Sequence, residues 1–159
     1  MCKYVSRTGP GNTTSSAASL FFWSNGYIGA TTVAYGNPNV AEIFFQPIGA
    51  FQVQLVSFVL APFLSARTTQ WAAYDANFNV LASSGGTFGL STATTFAPNQ
   101  TNATGIRLQF GPDDFNVAID NITFNVIPTG QAPVPEPSTM LVAPGILLLL
   151  IGRKSLRRG

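Results

Sequence analysis

The stretch AFQVQLVSFVLAPF, residues 50–63, decides how this chain folds. Phe51, Val53 and Leu55 alternate with Gln52 and Gln54. That period of two puts the apolar side chains on one face of a strand. The phase shifts at Val56-Ser57 and continues through Phe58 and Leu60, which marks a bulge.

Shorter apolar runs flank this stretch, each closed by turn residues. AASLFFW (17–23) reads as a first strand and meets Asn25-Gly26; YIGATTVAY (27–35) meets GNPN; VAEIFFQ (40–46) meets Pro47. Downstream, Thr68–Tyr74 and Val80–Ser83 flank DANFN, where Asp75, Asn77 and Asn79 suit a tight turn. GIRLQF (105–110) alternates, and VAIDNITFNVI (117–127) mixes apolar and polar residues on both faces. The pattern predicts about eight short strands and an all-β fold, a jelly-roll-type β-sandwich. Residues 1–16 are polar and rich in Gly, Ser and Thr, so a disordered N-terminus is expected ahead of a sandwich at 17–127.

Composition agrees. Of 159 residues, 46% are apolar and 13 are Phe, enough to build a core. Glu and Lys are scarce beside Thr, Asn, Ser and Gly, which disfavours long helices. Residues 1–135 carry Lys3, Arg7, Arg67 and Arg107 against Glu42, Asp75, Asp113, Asp114 and Asp120, a net of −1. The folded part therefore offers no basic face, and no nucleic-acid partner is expected. The single cysteine, Cys2, allows no intrachain disulfide. Histidine is absent, which removes the commonest general base and metal ligand.

Past Ile127 the composition changes. Residues 128–137 form a Pro-rich linker, 138–152 are uncharged and apolar enough for one short C-terminal transmembrane helix, and 153–159 carry Arg153, Lys154, Arg157 and Arg158. As a helix, 138–152 would reach roughly 22 Å at about 1.5 Å per residue, short of a hydrocarbon core of about 30 Å. The four cations would then act as a stop-transfer cluster and hold the end in the cytoplasm. A buried C-terminal helix of the domain and an unprocessed, permanent anchor are the competing readings.

Val134, Pro135, Glu136, Pro137 and Ser138, followed by the apolar run and the basic end, resemble the PEP-CTERM sorting signal of Gram-negative bacteria. The resemblance covers about 26 residues and rests on three elements in order. It implies export, a membrane-held stage, and processing near Pro135-Glu136-Pro137 by an exosortase-type enzyme. It also implies a cell-envelope or extracellular location and an association with exopolysaccharide and biofilm. The family carries an N-terminal signal peptide; no apolar run of that kind follows Lys3 and Arg7, so a shortened N-terminus is expected. The body, in WAAYDANFNVLAS and VAIDNITFNVIP, resembles the galactose-binding-like and carbohydrate-binding sandwiches found ahead of such tails, with Phe78 where glycine is common.

Three constellations could carry chemistry. Asp113, Asp114 and Asp120, with Asn121, could supply oxygens to a Ca²⁺, which takes six to eight; the plainer reading is a Pro-Asp-Asp turn plus a hydrogen-bonded Asp. Trp23, Trp71, Tyr27, Tyr35 and Tyr74 could form a sugar-stacking platform, against core packing as the stronger expectation. Two carboxylates could hydrolyse a glycoside. No nucleophile motif or phosphate loop supports catalysis, so the chain reads as a non-enzyme, and a glycan-active enzyme is the weakest reading. No catalytic residue and no cofactor besides Ca²⁺ is expected.

Overall fold

A computed structural model describes residues 1–7, 9, 11, 13, 15, 16, 20–36 and 39–130. Its strands are β1 (Cys2–Arg7), β2 (Ser15–Ser16), β3 (Phe21–Trp23), β4 (Val33–Tyr35), β5 (Val40–Phe45), β6 (Phe51–Pro62) and β7 (Arg67–Tyr74). They continue as β8 (Val80–Ser83), β9 (Phe88–Leu90), β10 (Thr94–Phe96), β11 (Gln100–Asn102), β12 (Ile106–Gly111) and β13 (Val117–Pro128). No helix occurs among the described residues, so none there is long and apolar enough to cross a membrane. The expected linker, helix and basic end, with the PEP motif, lie outside the described residues.

The strands form two antiparallel sheets. The first runs β2-β1-β5-β12-β7-β8, with β9 also on β7; the second runs β10-β6-β13-β4-β3, with β11 also on β6. Val53, Leu55, Phe58 and Leu60 of β6 pack in one core with Ile43, Leu108, Phe110 and Trp71 of the first sheet. The chain is thus an all-β sandwich. Phe58 meets Trp71 edge-on, with ring centroids 5.3 Å apart, and Phe96 stacks on Phe58 at 5.6 Å.

The break in alternation at Val56-Ser57 is structural. Along β6 and β13 the register shifts between Asp120 and Thr123 and again between Thr123 and Phe124, opposite Val59–Leu55. Asn121, at φ 47, sits in this irregularity. The shift explains the mixed faces of β13. Before it, Val117 and Ile119 enter the core; after it, Phe124 pairs with Leu55 and Val126 with Val53, so the even positions turn inward. The sandwich ends where β13 does: Thr129 donates its amide to the Ala50 carbonyl at 2.8 Å, and Met1–Thr129 forms one compact unit.

Two expectations are corrected. Residues 1–16 are not loose throughout, because β1 pairs with β5 from Cys2↔Phe45 to Arg7↔Val40. Its polar composition hid a strand whose Tyr4 packs on the core and whose Arg7 is an interior ion partner. AASLFFW does not hold the first strand either: within it, β3 covers Phe21–Trp23, all exposed, at the edge of the second sheet, and β1 and β2 precede it.

Arg7 completes a cluster on the outward side of the first sheet. Glu42, on β5, is fully buried. Arg7 donates to it through Nε at 2.9 Å and Nη2 at 2.6 Å, Arg107 through Nη1 at 2.8 Å, and Gln109 through Nε2 at 2.8 Å. Burial works against the Glu42 carboxylate, but the bonds from Arg7 and Gln109, the Arg7 charge and the Arg107 bond together hold its pKa below the usual value. The Phe78 ring covers both guanidiniums, with Arg7 at 5.1 Å and Arg107 at 4.6 Å from its centroid. Phe78 holds φ 66, a left-handed conformation that a bulky residue avoids unless surrounding contacts enforce it.

Replacing Glu42 by Gln leaves two cations without their counter-charge. Such a loss costs about 3–5 kcal/mol. The urea midpoint of Glu42→Gln should fall accordingly, with an unchanged m-value; a midpoint equal to the parent's would show that the cluster does not hold β1 to β5 and β12.

Candidate functional site

The outward face of the first sheet carries a groove. On β7, Gln70, Ala72 and Tyr74 share that face; on β12, Gln109 and Gly111 do; Val40 lies beside them on β5. Because pairing places Tyr74 beside Val80 and Ala72 beside Ser83, β8 forms the far wall. These residues enclose a groove of about 270 Å³. The Ser83–Gly86 turn closes one side through Ser84, whose Oγ accepts from the Trp71 amide at 3.2 Å and donates to the Gly86 carbonyl at 2.6 Å.

The glutamate cluster shapes the opposite wall. Gly11 donates its amide to Gln109 Oε1 at 2.9 Å. It has φ 71, and a Cβ there would sit 3.3 Å from Tyr74 Oη. Burial, and then the charge of Glu42, pushes the Tyr74 hydroxyl up, so it stays a neutral hydrogen-bonding group at ordinary pH. The groove therefore presents Gln70 and Ser83 as uncharged donors and acceptors beside the buried Tyr74 and Gln109, with Val80 and Ala72 as apolar surface. Such a lining binds hydroxyls and ring faces.

The five aromatic residues considered for stacking are dispersed. Trp71 is buried in the core and Tyr74 flanks the groove. Trp23, Tyr27 and Tyr35 do gather on the second sheet, with Phe63 and Phe115, around a pocket of about 100 Å³. Tyr27 is buried there, and its hydroxyl donates to the Phe115 carbonyl at 2.7 Å.

Asp113, Asp114 and Asp120 turn to separate hydrogen-bond partners. Asp113 closes a turn, accepting from Asn116 Nδ2 at 2.9 Å, and Asp120 accepts the Asn121 amide at 2.7 Å from within β13. Among the described residues no group of three or more His, Cys, Asp or Glu side chains could hold a metal ion. Alternation along the chain could not show that Asp113 and Asp114 turn to different partners. The fourth carboxylate, Asp75, caps its own turn through the amides of Asn77 at 2.7 Å and Asn79 at 2.9 Å. Those bonds and the Asn79 side chain hold its carboxyl below the usual range.

Asp114 is fully buried. Its Oδ1 accepts the Asn39 amide at 2.9 Å, while Oδ2 has no hydrogen-bond partner among the described residues. Tyr4 Oη is also buried without a partner, and both atoms crowd the point where a Cβ on Gly36 would stand. Gly36 is thus required by contact with the Asp114 carboxyl. Burial, with the Asp113 charge added, pushes the Asp114 carboxyl up to about 6.

Of the groove residues, Tyr74 was named in the sequence as a stacking candidate, whereas Gln70 and Gln109 were not singled out. Their signal was present as alternate polar positions in RTTQWAAY and GIRLQF, but the β7–β12 pairing that joins them is not written in either stretch. The motif residues Val134 to Ser138 and the cations Arg153, Lys154, Arg157 and Arg158 lie outside the described residues. No protein-family model matches the chain, and no curated protein matches it.

The Asp114 geometry sets a pH dependence. An unfolded aspartate titrates near about 3.9. The folded chain keeps its proton up through about 6, so stability is greatest below the unfolded value and falls as pH rises across that window. The loss amounts to about 3 kcal/mol at most. Glu42 acts in the opposite direction at lower pH, so the difference between parent and Asp114→Asn is the quantity to read. Urea midpoints from pH 4 to 7 should show the parent losing stability relative to Asp114→Asn; parallel curves would exclude a buried, protonated Asp114.

Proposed function

We propose that this chain is a non-catalytic, exported sandwich of jelly-roll type. A C-terminal PEP-CTERM-type tail delivers it to the cell envelope or extracellular matrix, where it contacts exopolysaccharide. The observation that carries this reading is the uncharged groove over β7 and β12. Its amides and hydroxyls match the hydroxyl-rich edge of a neutral sugar, and Val80 and Ala72 match the apolar ring face.

The carboxylates support binding over cleavage. Glycoside hydrolysis needs two carboxyl groups about 5–10 Å apart beside the sugar. Glu42 is enclosed by two arginines and Gln109, Asp75 and Asp113 cap turns, Asp114 is buried, and Asp120 accepts its neighbour's amide within β13. Delivery rests on the tail: Val134-Pro135-Glu136-Pro137-Ser138, the uncharged 138–152 segment and the RKSLRR cluster suit an exosortase-type partner and a membrane-held stage.

A glycan array probed with the Met1–Thr129 body tests the groove. Binding to neutral polysaccharide is expected, unchanged by a calcium chelator and weakened about tenfold in Gln70→Ala, the loss of one or two hydrogen bonds. Calcium-dependent binding, or equal binding by Gln70→Ala, would reject the groove as the contact. In a host with an exosortase, the parent should leave the membrane fraction while Glu136→Ala remains there; if both remain, the tail is a permanent anchor.

A further inference from the structure

The two sheets of the sandwich do not close at the end where β13 finishes. Past the register shift, Phe124 and Val126 of β13 face inward, as do Val53 and Phe51 of β6. From the first sheet, Phe45 of β5 reaches the Phe124 ring, with centroids 5.1 Å apart. Only Phe45 and Val53 are covered. Phe51, Phe124 and Val126 stay 42%, 47% and 57% exposed although they lie on the inner face, and Ile48 in the β5–β6 loop is 69% exposed. Together with Cys2 and Pro47 they line an open apolar groove of about 500 Å³. Apolar surface of this kind on a folded domain calls for a partner.

Chain length identifies that partner. β13 leaves the groove at Pro128, and eight residues, 130–137, separate Thr129 from the uncharged segment 138–152. Eight residues reach at most about 29 Å, and a proline-rich chain nearer about 25 Å. A twelve-residue strand such as β13 is about 40 Å long. The tether is shorter than the strand. If 138–152 enter a bilayer, the body cannot stand upright on its opposite end; the end within reach of the surface is the open one.

We propose that the open end of the sandwich rests on the lipid bilayer, with Ile48, Phe51, Phe124 and Val126 inserted at the headgroup–acyl boundary. This rests on the reading of the tail as a membrane-held segment. Side chains of this size gain by leaving water, and several on one rim act together because the tail already holds the body at the surface. The contact also shields inner-face residues that the sheets leave uncovered. Release of the tail would weaken it, so the same surface serves during the membrane-held stage and is given up afterwards.

Cys2 is the chain's one cysteine and lines the groove, which makes it a site for a spin label. Full-length protein labelled there is reconstituted in phosphatidylcholine–phosphatidylglycerol vesicles. A parallel sample carries the label at Leu148→Cys in a Cys2→Ser background. Collision with oxygen, enriched in lipid, is compared with collision by a water-soluble nickel chelate. Both labels are expected to favour oxygen, and the double variant Ile48→Asp, Val126→Asp should return the Cys2 label to water while the Leu148→Cys label stays in lipid. A lipid-exposed tail label with a water-exposed Cys2 label overturns the docking alone. A water-exposed tail label overturns the membrane reading, and the docking with it. Both substituted positions are more than half exposed, so folding survives the change, and a cooperative urea transition checks it.

Discussion

A buried carboxylate governs this molecule. Glu42 faces outward from the middle of the first sheet, where an isolated charge would be costly, and it is held by Arg7, Arg107 and Gln109. The partners come from two distant parts of the chain: Arg7 from β1, Arg107 and Gln109 from β12. The cluster therefore fixes which strands lie beside β5 and in what register. Arg7 also donates to the Thr13 carbonyl, which draws the N-terminal segment over the same face. With that face covered, the uncovered part over β7 and β12 becomes a groove.

The turn after β7 answers to the same cluster. Asp75 closes it by accepting from Asn77 and Asn79, and the closed turn sets Phe78 at a positive φ. The strain is offset by what the ring does. It lies over two guanidiniums whose net charge is one greater than Glu42 can cancel. Glycine would relax the backbone and remove that cover.

Acidic groups in this sandwich serve architecture. One is enclosed by arginines, two cap turns, one accepts its neighbour's amide within β13, and one is buried with a proton retained into mildly acidic conditions. That distribution leaves neutral hydrogen-bonding groups on the groove surface and open apolar groups at the β13 end. The groove over β7 and β12 and the apolar end at β13 lie on separate surfaces of the body, so the two proposed uses do not compete.

Period and punctuation in the sequence determined the strand class, the bulge near Val56, the turn at 75–79 and the end of the sandwich near Ile127. These are local properties: alternation, φ preference and side-chain capping act over a few residues. The tail's character is local in the same way, because length and hydropathy of one segment suffice to describe it. Tertiary structure alone decided the rest. Residues 2–7 are a strand because Glu42, thirty-five positions away from Arg7, supplies the charge that their composition lacks. Asp113, Asp114 and Asp120 are near neighbours in sequence and yet turn to separate partners. Gln70 and Gln109 line one groove because β7 and β12 pair. Pairing between distant strands depends on the summed fit of two whole faces, and no single stretch of sequence contains that sum.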